Sequence, residues 1–190
     1  MLFLSKYDVL GKITGDDTGC LFRAKTCTGN NDVILKFSTK THRENNGTAL
    51  KHAYNICNNL SGNGIPRYLQ LETFNGGAVA VLENAEGEIF EHFLINNRLN
   101  IENLLKIAIS IVEILEVLHQ NAIVHLGICP SNFIINAETL ELKLLDFSKA
   151  FYTNVEDEKM SRGLEGLDLA YISPEQSGRL NNGIDIRKWS

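Results

Sequence analysis

No stretch of this 190-residue chain gathers Lys and Arg, and its formal net charge is -5. A surface that tracks phosphates along a polymer needs such a gathering, so nucleic acid is not an expected partner. Long uninterrupted apolar runs are also missing. The most apolar segment, IENLLKIAISIVEILEVLHQ over 101–120, is broken by Glu102, Lys106, Glu113 and Glu116, which excludes a membrane span and leaves a buried helix. The opening MLFLSKYDVLGK is too briefly apolar for a secretory leader, with Lys6 and Asp8 interrupting it. The four cysteines, Cys20, Cys27, Cys57 and Cys129, form no C-x-x-C pair, and only His125 lies near one of them at a spacing zinc uses. Free thiols in a reducing compartment follow, and with them a cytoplasmic protein. There is no internal repeat and no low-complexity tract.

What remains is 44% apolar and 22% charged residues, ordinary for one substantial globular domain whose partners are small molecules or proteins. YDVLGKI, GCLFRAK and DVILKFS alternate or run apolar between TGDDTG and CTGNN, segments dense in turn formers, and predict a three-strand antiparallel meander. Residues 43–60 place Leu50, Ala53, Tyr54, Cys57 and Leu60 at helical spacing, closed by SGNG. After Pro66, RYLQLETF and GGAVAVLENA read as two more strands joined by a turn at Asn75, Gly76 and Gly77. A helix is expected from Ile101 to Leu118 with Asn100 as its N-cap, then a hairpin of NFIIN and LKLLDF. From Ser148 onward the chain reads as one long loop.

Five strands with a helix after the third, a long helix, a His-to-Asn loop, a hairpin and a DF pair, in that order, resemble the protein kinase domain over nearly the whole chain. DVILKF is similar to the family's V-A-I-K strand, HLGICPSN to H-R-D-L-K-x-x-N, DFS to D-F-G and SPE to A-P-E. The fold implied is α+β, a five-stranded antiparallel N-lobe sheet with one helix (1–83), a hinge (84–88) and a partial, mainly helical C-lobe (89–190). AYISPEQSGR most resembles bacterial Ser/Thr kinase domains at the N-terminus of multidomain sensor proteins.

The resemblance implies ATP and Mg as cofactors. Lys36 would meet the α- and β-phosphates, Leu21 and Ile34 would line the adenine slot, and Leu82 would be the gatekeeper. The backbone of Glu83 and Ala85 would pair with adenine and Glu88 would reach the ribose. Asn132 and Asp146 would hold the metal. Each has a plainer reading: an edge-strand charge for Lys36, a turn cap for Asp146, a loop tie for Asn132.

The departures are chemical. Gly127 stands where the catalytic Asp accepts the substrate proton, and Cys129 where a Lys steadies the γ-phosphate. Losing a general base alone costs about 10²–10⁴ in rate. Ala53 falls where a helix Glu holds the Lys, leaving Lys36 without its usual carboxylate, a place Asp146 could take in part. Between Gly15 and Gly19 lie Asp16 and Asp17, repulsive beside a triphosphate, and Ile34 adds volume where the family has Ala. Cys129 with His125 as a nucleophilic pair is the weaker use of that loop, since the family's His packs inward on the Phe of D-F-G. The family continues past A-P-E with further helices and an Arg for Glu175; this chain ends at IDIRKWS, with Trp189 where an Asp is usual two residues after Arg187. The expectation is a truncated pseudokinase binding Mg-ATP weakly, with a protein partner or missing C-terminal segment to cover the apolar helix. The alternatives are a protein-interaction module without nucleotide and an active Ser/Thr kinase with an atypical loop.

Overall fold

The computed structural model describes residues 6–15, 19–38, 47–153, 169–174 and 176. Three strands, β1 (Tyr7–Gly15), β2 (Gly19–Thr26) and β3 (Asp32–Ser38), form the meander the sequence predicts, and β4 (Tyr68–Phe74) and β5 (Gly77–Glu83) complete an antiparallel sheet in the order β1-β2-β3-β5-β4. Asn75 and Gly76 both take positive φ (50° and 78°), the conformation a two-residue hairpin turn demands.

Side-chain alternation gives this sheet two different faces. On the outer face Tyr7, Ala24, Val33, Leu35, Val79 and Val81 form a small core, with Phe22, Phe37 and Phe74 stacked edge to face beside it. The Tyr7 hydroxyl donates to Glu72 at 2.8 Å, joining the two outermost strands over that core. On the inner face Leu21, Ile34, Ala80 and Leu82 belong to the main core, which runs on without a break into the second half of the chain. Removing a side chain such as Ile34 or Leu82 fully from water is worth about 1.5–3 kcal/mol.

Helix α1 (Thr48–Cys57) packs Leu50, Ala53, Ile56 and Cys57 inward. It is shorter than the 43–60 span expected: Leu60 is buried in the turn beyond it, and residues 43–46 lie outside the described residues. Its approach to the sheet needs Gly47, where φ is 77° and an added Cβ would sit 2.3 Å from that of Ala78.

Two elements after the linker escaped the sequence reading, β6 (Glu88–Ile89) and α2 (Phe90–Asn96). Then α3 (Ile101–Gln120) runs as expected, with the Asn100 side chain accepting the Asn103 N–H at 2.8 Å. A short strand β7 (Ile123–Val124) and a 3₁₀ turn at Pro130–Asn132 lead into the hairpin of β8 (Phe133–Ile135) and β9 (Leu142–Leu144), and β8 also pairs with β6. The segment from Ser148 is not all loop: β10 (Phe151–Tyr152) pairs with β7, where buried Phe151 and half-buried Tyr152 meet Val124 and Ile123. No helix among the described residues is long and apolar enough to cross a membrane.

Candidate active site

β3 and the end of the β8–β9 hairpin bring together two residues 110 positions apart. The Lys36 ammonium donates to Asp146 Oδ1 at 2.5 Å and to the Leu145 carbonyl at 3.1 Å. Lys36 is therefore paired: Ala53 is fully buried in α1 and offers no carboxylate, and Asp146 takes the place that the sequence left open to it. Tyr68 donates from its buried hydroxyl to the same Leu145 carbonyl at 2.9 Å, which fixes the backbone next to Asp146. Ser148 completes the cradle, its hydroxyl donating to Asp146 Oδ2 at 2.9 Å. Burial alone would raise the Asp146 pKa, but the Lys36 charge and the hydrogen bonds from Lys36 and Ser148 outweigh it and hold the carboxyl down at about 2. Burial pushes the Cys57 thiol, on the α1 face toward this pair, well above its ordinary range, so it is inert as a nucleophile.

Asn132 stands opposite Leu145 in the hairpin, its carbonyl accepting the Leu145 N–H at 2.8 Å, so it lies beside Asp146. Its amide nitrogen donates to the Gly127 carbonyl at 2.7 Å. Asn132 and Asp146 are hard oxygen donors, and a pair of this kind suits Mg²⁺ held jointly with phosphates. Among the described residues no group of three or more His, Cys, Asp or Glu forms a metal site by itself.

The loop between β7 and the 3₁₀ turn is shaped by its backbone. Leu126 takes φ 59°, and its carbonyl accepts from the Gln176 amide at 2.9 Å. His125 is buried against Phe147, ring centroids 5.1 Å apart, as the resemblance implies. Its Nδ1 accepts the Gly127 N–H at 3.2 Å, which assigns the remaining proton to Nε2. Burial lowers the His125 pKa to about 4, with Asp146 opposing the shift, so the ring is neutral at pH 7. The Cys129 sulfur lies 3.2 Å from the Ser131 hydroxyl, while the His125 Nδ1 is taken by the Gly127 N–H. A Cys–His pair is not assembled.

At the linker, Leu21, Ile34 and Ala85 are buried and belong to the main core. Glu83 is held by Arg67 at 3.0 Å and Lys143 at 3.3 Å; burial works against its ionised form, but these two cations bring its pKa below the ordinary value. Glu88 is half-buried in β6, paired with Ile135. Arg23, on β2, reaches the linker carbonyls of Ala85 and Gly87, a contact no sequence motif signals. Asp16, Asp17, Glu175, Arg187 and Trp189 lie outside the described residues.

The arrangement holds a cation–carboxylate pair, Lys36 and Asp146, with the Asn132 amide adjacent. Comparison with known proteins agrees with the order of the elements. The family model for the protein kinase domain matches residues 7–190. Similar curated proteins include the serine/threonine-protein kinase TIO of Arabidopsis thaliana, 28% identical over 174 residues, and serine/threonine-protein kinase 36 of Mus musculus, 29% identical over 175. A probable casein kinase I homolog of Encephalitozoon cuniculi is 26% identical over 144 residues, 73% of this chain and 46% of that protein. The first two alignments cover 89% and 90% of this chain but 13% of either relative. The chain belongs to the protein kinase domain family.

Proposed function

We propose that this chain is a pseudokinase domain: it takes Mg-ATP weakly between the sheet and the β8–β9 hairpin and does not transfer the phosphoryl group. The observation that carries this reading is Gly127. Hydrogen bonds through His125, Asn132 and Gln176 tie the loop around it, and a glycine has no side chain to accept a proton. In this reading Lys36 and Asp146 would hold phosphate and metal, and Asn132 would supply the second metal contact. Bound Mg-ATP would supply polarised phosphates, while the chain's own residues only orient them. Weak affinity is supported by the engagement of both Asp146 oxygens within the protein.

A second reading, a protein-interaction module that binds no nucleotide, is favoured by one observation. α3 leaves Ile101, Leu104, Leu105, Ile109 and Val112 exposed along its length. Titration of ATP with and without Mg²⁺, followed by thermal unfolding, separates the two. The pseudokinase reading expects a Mg-dependent rise in unfolding temperature only near millimolar ATP, with no labelled phosphate transferred; no rise at any concentration favours the module. Transfer that disappears in Asp146→Asn would make the chain an active kinase and overturn both.

A further inference from the structure

Ser148 follows Asp146 by two residues and stands where the D-F-G motif has glycine. The exchange adds a hydroxyl to the turn that carries this carboxylate. That hydroxyl donates to Asp146 Oδ2 at 2.9 Å, and the Ser148 N–H reaches Oδ1 at 3.3 Å. Oδ1 also accepts from the Lys36 ammonium at 2.5 Å. Ser148 alone therefore bonds to both oxygens of the carboxylate, and a glycine in its place would offer Oδ2 no side-chain donor.

We propose that Ser148 sets the divalent-cation affinity of this site by competition: its hydroxyl occupies the Asp146 oxygen that Mg²⁺ would take. The inference rests on the pseudokinase reading, in which Asp146 and Asn132 hold Mg²⁺ together with the phosphates. Mg²⁺ is a hard cation that binds through carboxylate oxygens, so a hydroxyl on Oδ2 and a cation there contend for one atom. The contest is not trivial for the cation. A hydrogen bond to an ionised carboxylate is about twice as strong as a neutral one, and its loss offsets part of what ligation gains.

The backbone before Asp146 is tied on both sides. The Leu145 carbonyl accepts from Tyr68 at 2.9 Å and from Lys36 at 3.1 Å, and the Leu145 N–H donates to the Asn132 carbonyl at 2.8 Å. With that backbone held, the local way to free Oδ2 is rotation of the Ser148 side chain about one bond. Lys36 is in a different position, because in this reading phosphate oxygens replace Asp146 as its partner. A state with Oδ2 free is populated only in part, which lowers the apparent affinity by that fraction.

The test uses the full chain with Ser148→Ala, which removes the hydroxyl, and Ser148→Thr, which keeps one. Ser148 does not take a positive φ, so alanine fits its backbone without strain. Native chain and variants are titrated with Mg-ATP and with ATP in EDTA, the unfolding temperature giving the affinity. Ser148→Ala is expected to bind Mg-ATP about tenfold more tightly, equivalent to about 1.4 kcal/mol, with Ser148→Thr at the native value. The response to metal-free ATP is expected to be the same in all three, which a general loosening of the turn would not give. Mg-ATP affinity of Ser148→Ala equal to or below the native value overturns the competition and leaves the pseudokinase reading intact. A gain of the same size in EDTA also overturns it, since the metal would then play no part. Binding by neither the native chain nor Ser148→Ala overturns it together with the nucleotide reading. Should Ser148→Ala fail to fold, Ser148→Gly, which also lacks the hydroxyl, is judged by the same comparison.

Discussion

His125 shows how one buried residue can hold a loop in shape. The neutral ring packs on Phe147 and accepts the Gly127 N–H, an arrangement that protonation of Nδ1 would destroy. Its ordinary pKa of 6.5 falls to about 4 in the folded chain. Below pH 6.5 the unfolded chain gains a proton that the folded chain refuses, so stability present at neutral pH is lost as pH falls from 6.5 towards 4. Between pH 7 and pH 5 the loss from this group is expected to be about 2 kcal/mol. Urea unfolding at the two pH values measures it, and His125→Phe is expected to remove most of the difference. An unchanged difference in the variant would show that the ring does not titrate in this way. Asp146 acts in a lower window: its stabilisation is complete above about pH 4 and drains as pH falls towards 2.

At the scale of elements, α3 exposes more large apolar side chains than any other element among the described residues. Ile107, Ile114 and Leu118 face the core, while Leu105 and Ile109 stand in solvent. Replacing Leu105 and Ile109 by Gln is expected to lower binding of a hydrophobic dye and any self-association. Stability should change by no more than about 0.5 kcal/mol per site, the usual effect at an exposed position. A loss of about 2 kcal/mol or more in denaturant unfolding would mean that the face is covered. The five long strands and α3 were readable in the sequence because each repeats its period several times, and because Asn75–Gly76 and Asn100 mark a turn and a cap. Helix α2 was not: at seven residues it offers only Phe90 and Phe93 at helical spacing, too little to show a period. β7 and β10 are two residues each, and their pairing across the catalytic loop depends on tertiary contact alone.

Over the whole molecule, the candidate site was legible as residue types but not as partnerships. Lys36, Asp146 and Asn132 could be picked out by motif, yet the Lys36–Asp146 bond that replaces the missing helix carboxylate joins positions 110 residues apart. Arg23 gave no signal, because a lone Arg in a strand has meaning only once register sets it beside Ile34 and above the linker. The fold that results is that of a protein kinase domain, and in the proposed pseudokinase reading Gly127 stands where the proton acceptor would be. There is room to put it back: a Cβ at Gly127 would lie 3.5 Å from Asn132 Nδ2 and 3.6 Å from His125 Nδ1, ordinary contact distances. The most direct measurement is therefore transfer of labelled γ-phosphate from Mg-ATP, at high ATP, to a generic Ser/Thr substrate by the native chain and by Gly127→Asp/Cys129→Lys. The native chain is expected to stay at background, with the double variant at least about 10²-fold above it, the lower end of what a general base contributes. Native transfer at the rate of the double variant, abolished by Asp146→Asn, would contradict the assignment of this domain as a pseudokinase.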